Sequence, residues 1–296
     1  MPDECINALN IRPDGVYVDC TLGGGGHSSL ILDKLTTGRL IGIDKDEDAL
    51  TAAEKRLSNP NFTPIRGNFH DFSDLINEKV NGVLIDLGVS SFQLDTGQRG
   101  FSYRLNGPLD MRMDNRSDFN AAKIVNNFTE KEIADILFQF GEERHSRRIS
   151  RAICQIRETE EITTTLQLAK IIENATPRKK PNDPNPAMRS FMALRIAVNN
   201  ELTPLKNVLI NIAENSLKQG GRIAVITFHS LEDRIVKNAF QELEKPCTCP
   251  RDIPYCICNK QPVIKKITKK PTLPSKNEIE NNSRARSAKL RIAERI

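Results

Sequence analysis

The 296-residue sequence has no long hydrophobic run. Its longest apolar stretch, near residues 223–228, is far shorter than the roughly 20 residues that a membrane-spanning helix needs. The first ten residues, MPDECINALN, carry acidic side chains where a secretory signal has a basic and apolar run. The sequence therefore predicts a globular, cytoplasmic protein. Its length and 38% hydrophobic content fit one large domain or a domain with an insert.

Paired cysteines of the kind that build a disulfide framework are also lacking. The seven cysteines are an odd number in a chain without an export signal, which predicts reduced thiols. Four of them lie in CTCPRDIPYCIC, at Cys247, Cys249, Cys256 and Cys258. Four thiolates are a zinc ligand set, but the CxC spacing is tighter than the usual CxxC, so no metal is assigned from the sequence.

The net charge of +5 is unevenly distributed. Residues 260–296 contain eleven Lys and Arg against three Asp and Glu, which leaves the preceding part of the chain slightly acidic. A basic tail on an enzyme-like body favours a phosphate-rich partner, although a solvated tail without a specific partner has the same composition.

Short β-branched runs at 16–20, 40–44 and 82–86 alternate with helical stretches such as 46–57, which predicts a mostly parallel sheet. A capping box at Thr129 and Glu132 then opens a helix through residue 140. Further helices are predicted near 142–157 and 166–174, followed by a proline-rich loop at 176–186, helices at 188–201 and 205–217, and a strand at 222–228. We therefore predict an α/β domain in two parts, residues 1–106 and 204–296 with a basic tail, around an all-helical insert at 107–203.

The stretch VYVDCTLGGGGHSS, residues 16–29, runs from a strand through four glycines into a helix. Such a turn presents free backbone N–H groups and lets a ligand lie against the main chain. Asp44 ends the next strand 21 residues after Gly23, where a carboxylate accepts both hydroxyls of an adenosine ribose. Together these features predict a nucleoside cofactor. A glycine turn that only joins a strand to a helix is the structural alternative.

The glycine spacing bears on which nucleoside binds. A GxGxxG dinucleotide motif that starts at Gly23 ends on Ser28. The acid-x-Gly-x-Gly-x-Gly pattern of class I S-adenosylmethionine enzymes instead maps onto Asp19, Thr21, Gly23 and Gly25, with Thr21 in place of the first glycine. The sequence favours S-adenosyl-L-methionine, and an NAD-dependent dehydrogenase stays as an alternative.

Four long motifs extend this reading: DCTLGGGGHS at 19–28, GVLIDLGVSSFQLDTGQRGFSYRLNGPLDMRMD at 82–114, TFHSLEDRIVK at 227–237 and SRARSAKLR at 283–291. With them the chain resembles, nearly end to end, the bacterial 16S ribosomal RNA cytosine N4-methyltransferase family (RsmH, formerly MraW). The family usually begins with a His-x-Pro-Val-Leu segment that MPDECINALN does not contain.

The resemblance implies a class I, Rossmann-like methyltransferase fold with a helical insert and S-adenosyl-L-methionine as cofactor. It implies methylation of the exocyclic N4 amine of a cytosine in the decoding centre of the small-subunit ribosomal RNA. By similarity, the cofactor pocket contains Gly25, Gly26 and His27 at the methionine part, Asp44 at the ribose, Phe69 beside the adenine, and Asp86 and Gln93.

The amine of cytosine is a poor nucleophile, so an enzyme must accept its N–H bonds as the methyl group arrives. Asp86 is the first candidate for this role, since DLGVSS stands where other amino methyltransferases have an Asp/Asn-Pro-Pro-aromatic turn. The prolines and the aromatic residue are absent, so Asp86 alternatively serves only the cofactor. His229, after another strand, is a candidate proton acceptor or a simple hydrogen-bonding residue, and Asp110 is a weaker candidate.

Contact with RNA is predicted at two places. The first is the loop at 99–112, where Arg99, Phe101 and Tyr103, with Arg104 and Arg112, offer stacking faces and charge, although such spacing also suits a strand face. The second is the tail, where Arg284, Arg286, Lys289 and Arg291 are predicted to contact the RNA backbone, with a solvated helix as the alternative.

Two other activities were weighed against these residues. Pro246-Cys247 resembles the nucleophile of cytosine C5 methyltransferases, but that cysteine belongs after the strand carrying Asp86, where none is present. Carbon methylation is therefore disfavoured. A non-catalytic, RNA-binding ribosome assembly factor stays as an alternative.

Overall fold

The computed structural model describes residues 1–177, 185–250 and 255–296. Residues 178–184 of the predicted proline-rich loop, and residues 251–254 between the cysteine pairs, lie outside the described residues. The chain divides into two compact units, one comprising Met1–Gly88 and Leu202–Ile296 and the other Val89–Glu201. None of the described helices has the length and apolar character needed to span a bilayer.

The first unit contains a seven-stranded sheet in the order β3-β2-β1-β4-β5-β7-β6. Its strands are β1 (Val16–Asp19), β2 (Arg39–Asp44), β3 (Phe62–Arg66), β4 (Val80–Asp86), β5 (Leu217–Thr227), β6 (Ile264–Lys266) and β7 (Lys289–Arg295). Strands β1 to β5 are mutually parallel, whereas β7 runs antiparallel to β5 and β6. This order with a reversed β7 is the class I methyltransferase topology, so the predicted fold class is confirmed.

Both faces of the sheet are covered by buried residues. Successive residues of a strand point to opposite faces and therefore belong to different clusters. Val16 and Val18 belong to one buried cluster, while Tyr17 between them belongs to the cluster on the other face. The helices of this unit are α1 (Pro2–Leu9), α2 (Gly26–Leu32), α3 (Glu47–Arg56), α4 (Phe72–Leu75), α11 (Leu205–Asn211), α12 (Ser230–Glu244) and α13 (Lys276–Asn281). The predicted helix at 205–217 ends early, since residues 212–216 form a π turn that leads into β5.

The second unit is built from helices around its own buried cluster. They are α5 (Ser91–Asp95), α6 (Ala121–Asn127), α7 (Glu130–Gly141), α8 (Ser146–Arg157), α9 (Thr165–Ala175) and α10 (Ala187–Asn199). The capping box predicted at Thr129 and Glu132 is present at the start of α7. The helix predicted from residue 142 begins only at Ser146, because Glu142 adopts a left-handed conformation with φ 49°.

The boundaries of the helical unit differ from those that the sequence predicts. Residues 89–106 belong to it rather than to the first part of the α/β unit. The reason is packing: Phe101, together with Leu109, Met111 and Met113 beyond it, is buried in the helical core. At the other end the division lies at Glu201 and Leu202, two residues before the predicted one.

The basic tail is not a solvated segment. Its last part forms β7, in which Leu290 and Ile292 are buried, and β6 pairs with it at the edge of the sheet. The alternative of a solvated helix across residues 283–291 is therefore wrong. A short 3₁₀ turn (Ser283–Ser287) leads directly into the strand.

Candidate active site

The carboxyl ends of the five parallel strands carry most of the predicted site residues. Along the sheet, Phe69 follows β3, Asp44 ends β2, the glycine loop follows β1, Asp86 ends β4 and His229 follows β5. Open parallel sheets bind ligands at this edge, where loops diverge from adjacent strands. The residues predicted separately from the sequence are therefore brought to one edge of one sheet.

The backbone conformation of the glycine loop, and the space around it, explain why side chains are absent after β1. Gly23 and Gly25 have φ of 50° and 74°, a left-handed conformation that favours glycine. Gly24 and Gly26 have no such requirement, and a Cβ at either would meet no atom within 4 Å in the described part of the chain. Their lack of a side chain has no internal steric cause and instead leaves the backbone open to a ligand.

Asp44 fastens the loop to the neighbouring strand. Its Oδ2 accepts the N–H of Gly23 at 2.8 Å, and its Oδ1 accepts the N–H of Asp46 at 2.9 Å. Burial raises the pKa of Asp44, although these two hydrogen bonds oppose the effect. A carboxylate has about four lone-pair positions, so Asp44 keeps the capacity to accept further hydroxyl groups.

Asp19 and Thr21 hold the two central strand ends together. The buried Asp19 accepts the hydroxyl of Ser28 at 2.7 Å and the N–H of Thr21 at 3.2 Å, and burial raises its pKa to about 6. The Thr21 Oγ1 in turn accepts the N–H of Asp86 at 2.7 Å. Thr21 thus uses its side chain where the usual pattern has glycine. Neither it nor Asp19 was assigned a site role from the sequence, although both lie in the quoted motif.

Asp86 and His27 form a pair with unused polar atoms. The Nδ1 of His27 lies 3.8 Å from the Oδ2 of Asp86. Burial raises the pKa of Asp86 to about 6; nearby His27 lowers it and Asp19 raises it. Within the residues that the structure describes, the buried Oδ1 of Asp86 and Nε2 of His27 have no hydrogen-bond partner. Two orphaned buried atoms at a strand edge mark the place for a polar ligand.

His229 has a structural role at the start of α12. Its ring Nδ1 accepts the N–H of Glu232 at 3.5 Å, and Glu232 accepts the N–H of His229 at 3.2 Å, which makes a capping box. The Nε2 lies 3.0 Å from Oε1 of the buried Glu232. The geometry therefore ties His229 to its own helix, and a chemical role stays a prediction. Glu232 gave no signal in the sequence, because histidine is not a common N-cap residue.

The remaining cofactor residues fall in different units. Phe69 lies in a short 3₁₀ turn after β3, half-buried against the sheet, and its ring meets His70 edge-on with centroids 4.6 Å apart. Burial, with a smaller effect from Lys45, lowers the pKa of His70 to about 4. Gln93 belongs to the helical unit and is buried, and its side chain accepts the N–H of Ser90 in a capping box at the start of α5.

The side chains of the loop at 99–112 are less exposed to an RNA substrate than the sequence indicates. Phe101 is only 5% exposed and lies in the helical core, so the prediction that it stacks on a base is wrong. Tyr103 is half-buried and meets Phe191 edge-on, with Arg104 over its ring. The guanidinium of Arg99 donates to the carbonyl of Arg112 at 3.0 Å. Buried aromatics inside a polar loop cannot be told from exposed ones by spacing alone.

Asp110 is held by Arg112 through two hydrogen bonds, at 2.8 and 2.7 Å. Although partial burial raises the pKa of Asp110, these bonds lower it more, so the net shift is downward. An ionised, paired carboxylate is a weak proton acceptor, which removes Asp110 as a catalytic candidate.

The tail cations divide into two groups. Arg284 and Arg286 are exposed on the 3₁₀ turn before β7. Arg291 and Lys289 instead bond Asp233 of α12 at 2.7 and 3.3 Å. Partial burial raises the pKa of Asp233, but the bonds from Arg291 and Lys289 produce a net lowering. Arg291 and Lys289 therefore fasten β7 to α12. Their contact with RNA stays a prediction.

Comparison with known proteins identifies the family of the chain. The model of the MraW methylase family matches residues 1–296. The chain belongs to the MraW methylase family. It is 52% identical over 300 residues to a protein of Clostridium botulinum (strain 657 / Type Ba4) named ribosomal RNA small subunit methyltransferase H, covering 99% of this chain and 97% of the relative. A relative of the same name from Carboxydothermus hydrogenoformans is 51% identical, covering 99% and 96%.

A solved structure, an rRNA methylase from Streptococcus thermophilus, shares 12% identity with a TM-score of 0.41, covering 99% of this chain and 93% of that one. That similarity is too weak to bear on the assignment. Membership of the MraW methylase family confirms the resemblance predicted from the motifs and makes the protein a methyltransferase enzyme. It does not favour the dehydrogenase or the non-catalytic assembly factor.

The methyl donor of this enzyme class is S-adenosyl-L-methionine, as predicted. The residues at the strand edge fit that group. The backbone at Gly24 and Gly26 is open, because a Cβ at either position would meet no described atom within 4 Å, and the orphaned His27 Nε2 and Asp86 Oδ1 offer polar contacts. Asp44 ends β2 and lies next to the glycine loop, where its carboxylate accepts the N–H of Gly23 and fits the acidic residue of a nucleoside fingerprint.

Proposed function

We propose that this member of the MraW methylase family methylates the exocyclic N4 amine of a cytosine in the decoding centre of the 16S ribosomal RNA of the small subunit. The observation that carries the proposal is the buried Oδ1 of Asp86, which has no hydrogen-bond partner among the described residues and lies at the strand edge beside the open glycine cradle. The names of its relatives, ribosomal RNA small subunit methyltransferase H, support the choice of RNA.

Binding of the cofactor rests on three parts of the chain. The glycine loop at 23–26 supplies an open backbone, Asp44 accepts hydroxyl hydrogen bonds, and Phe69 offers an apolar ring face. His27 lies beside the loop as the second residue of α2. When bound, the cofactor supplies a methyl group on a positively charged sulfur. Gln93 stays a prediction for this pocket.

Asp86 performs the central step in this proposal. A carboxylate that accepts an N–H bond from the cytosine amine returns electron density to the nitrogen and orients its lone pair. Methyl transfer would form a C–N bond at N4, break the C–S bond between the methyl group and the cofactor, and release one proton from the nitrogen. Asp86 accepts that proton, since burial raises its pKa to about 6 and so makes it a stronger base than an exposed carboxylate.

His27 and Thr21 position Asp86. The hydroxyl of Thr21 accepts the backbone N–H of Asp86, which fixes the end of β4. The Nδ1 of His27 lies 3.8 Å from Oδ2, whereas Oδ1 has no hydrogen-bond partner among the described residues and is the oxygen assigned here to the substrate amine. His229 stays a second candidate for proton acceptance, against the capping role described above.

Contact with the RNA backbone is proposed for exposed cations near the C-terminus. Arg284 and Arg286 are exposed on the 3₁₀ turn, and Lys269 and Lys270 are exposed after β6. Cations of this kind neutralise phosphates and make binding salt-dependent. Arg99 and Tyr103 stay predictions for substrate contact. Ribosomal RNA as substrate also assigns the activity to the cytoplasm.

The test uses purified protein, tritiated S-adenosyl-L-methionine and two acceptors from cells that lack this modification: protein-free 16S ribosomal RNA and assembled small subunits. The proposal predicts tritium incorporation into at least one acceptor, and the two acceptors together show whether the substrate is the free RNA or the assembled subunit. Protein that is folded and binds the cofactor but labels neither acceptor would refute the assignment of the substrate.

A further inference from the structure

The segment between α12 and β6 carries the cysteine pairs that methyl transfer does not use. The four Sγ atoms of Cys247, Cys249, Cys256 and Cys258 all lie within 4.8 Å of one another. Measured pairs are 3.6 Å for Cys247 and Cys256, 3.8 Å for Cys249 and Cys256, and 3.4 Å for Cys256 and Cys258. Four sulfurs from two separate pairs therefore converge on one point.

This spacing matches a metal centre. A tetrahedral zinc with Zn–S bonds of about 2.3 Å places its sulfur ligands about 3.8 Å apart. A disulfide instead needs an S–S distance of about 2.05 Å, and all four cysteines are free. The CxC spacing, which argued against a metal in the sequence, is no obstacle here, since Cys256 and Cys258 already bring their sulfurs to 3.4 Å.

Backbone N–H groups point at the sulfurs. Ile257 donates its N–H to the Sγ of Cys249 at 3.3 Å. The N–H groups of Thr248 and Lys260 are directed at the sulfur of Cys258. Asn259, between Cys258 and Lys260, has φ 52°, and this left-handed residue turns the chain back on itself. Such N–H bonds stabilise negative charge on thiolate ligands and orient them.

The described residues of this segment lack a buried hydrophobic cluster. Between residues 245 and 260, none of the described residues is buried, and its large apolar side chains are exposed, with Tyr255 at 81% and Ile257 at 70%. Hydrophobic packing therefore cannot fix this loop. A metal bound by four side chains supplies folding free energy directly, as it does in small zinc modules.

We propose that Cys247, Cys249, Cys256 and Cys258 bind one structural Zn²⁺ that fastens the segment between α12 and β6. All four ligands are thiolates, so the site is closed and leaves no position for a substrate. Four soft sulfur ligands in tetrahedral arrangement select zinc over the hard cations Mg²⁺ and Ca²⁺. The site is independent of the proposed methyl transfer.

The test measures metal content of the full chain, purified under reducing conditions without chelator or a metal-affinity column. Elemental analysis by mass spectrometry should find one equivalent of zinc per chain. The double variant Cys247→Ser/Cys256→Ser should contain at least about tenfold less zinc per chain than the wild type, because the affinity for zinc comes from the thiolate ligands. The matched control, Cys154→Ser, removes a half-buried cysteine of α8 and should keep all of it.

Two further readouts keep the proposal falsifiable if the double variant misfolds. Cobalt added to the zinc-free wild type should give the intense visible bands of a tetrahedral thiolate site. Chelation of the wild-type protein should open the segment 245–263 to protease cleavage while the thermal midpoint of the sheet is retained. Wild-type protein that takes up no zinc, contains iron in its place, or carries two disulfides by intact mass would overturn the proposal.

Discussion

Asp86 has the properties that a residue in contact with a substrate amine needs. One oxygen faces His27, and the other is buried without a partner among the described residues. An unsatisfied buried acceptor costs about 1–3 kcal/mol, so a fold retains one where a ligand completes it. Burial also raises the pKa of Asp86 to about 6, which makes it a stronger base than an exposed carboxylate.

The first prediction concerns the pH dependence of methyl transfer. Below about pH 6 Asp86 is protonated and no longer accepts an N–H bond, so the rate should rise with pH and level off near neutrality. Asp86→Asn should lower the plateau rate about 100-fold, the usual contribution of a positioned base. Initial rates of tritium transfer between about pH 5 and about pH 8 measure both effects.

The control for this prediction is Asp33→Asn, which neutralises an exposed carboxylate after α2 and should leave rate and profile unchanged. Asp86→Asn protein that turns over at the wild-type rate would contradict the assigned role. Loss of cofactor binding in that variant would instead assign Asp86 to the cofactor alone.

The second prediction concerns Asp44. Asp44→Ala removes the acceptor for the ribose hydroxyls together with the hydrogen bond that fastens Gly23. Cofactor affinity should fall about 10- to 100-fold, since hydrogen bonds to a charged group contribute about 1.5–3 kcal/mol. Titration calorimetry with S-adenosyl-L-methionine measures the loss, and Glu54→Gln, an exposed change on α3, is the control. Equal affinity in Asp44→Ala and wild type would remove Asp44 from the pocket.

The turn from β1 into α2 separates two reasons for glycine. At Gly25 the reason is internal, because φ is 74° and a Cβ would lie 2.9 Å from Leu57 Cδ1. At Gly26, the first residue of α2, a Cβ would meet nothing within 4 Å in the described chain. The first glycine serves the fold, and we expect the second to serve the ligand.

The third prediction follows from this difference. Gly26→Ala should leave the free energy of unfolding unchanged or raise it by about 0.5–1 kcal/mol, because alanine is the better helix former. Its cofactor affinity should nevertheless fall at least about tenfold, since the added methyl group occupies the cradle. Gly25→Ala should lower the free energy of unfolding by about 1–2 kcal/mol through its left-handed conformation.

Urea unfolding and calorimetry on the two variants measure both quantities. A Gly26→Ala protein that binds the cofactor as tightly as the wild type would mean that the glycine loop is only a connection between strand and helix.

The sequence predicted those elements whose local signals agree with their tertiary surroundings. Strands β1, β2 and β4 are apolar runs buried on both faces, and α7 begins at an ordinary capping box. β3 was not predicted from the sequence, because it is an edge strand with Pro64 inside it. No strand was predicted at β7, because its charged residues conceal the alternation of buried Leu290 and Ile292.

In the candidate site, too, the sequence predicted some features and missed others. Motif spacing predicted the glycine loop and Asp44 for a nucleoside, and the resemblance to the family implied Gly25, Gly26, His27 and Asp86. Parallel strands bring their carboxyl ends together, so these residues lie at one sheet edge. Spacing did not reveal that Phe101 is a core residue, nor that Arg291 is bound by Asp233. Burial and ion pairing depend on what packs against a residue, which a local pattern does not contain.

The whole chain concentrates its basic charge at the C-terminus, but only part of that charge is available to a partner. Besides the contacts to Asp233, Lys265 pairs with Glu294 and Lys266 pairs with Glu244. Structural pairs therefore neutralise part of the local surplus, and the exposed cations near Arg286 carry what is left for an RNA backbone.

The position of the transferred methyl group tests the central claim most directly. Small subunits that lack the modification are incubated with the enzyme and S-adenosyl-L-methionine carrying a deuterated methyl group, and the RNA is digested for mass spectrometry of its nucleosides. The account predicts that the label is found in N4-methylcytidine. Label in 5-methylcytidine or on a ribose hydroxyl would contradict it, because neither product needs an acceptor at Asp86 for an amine.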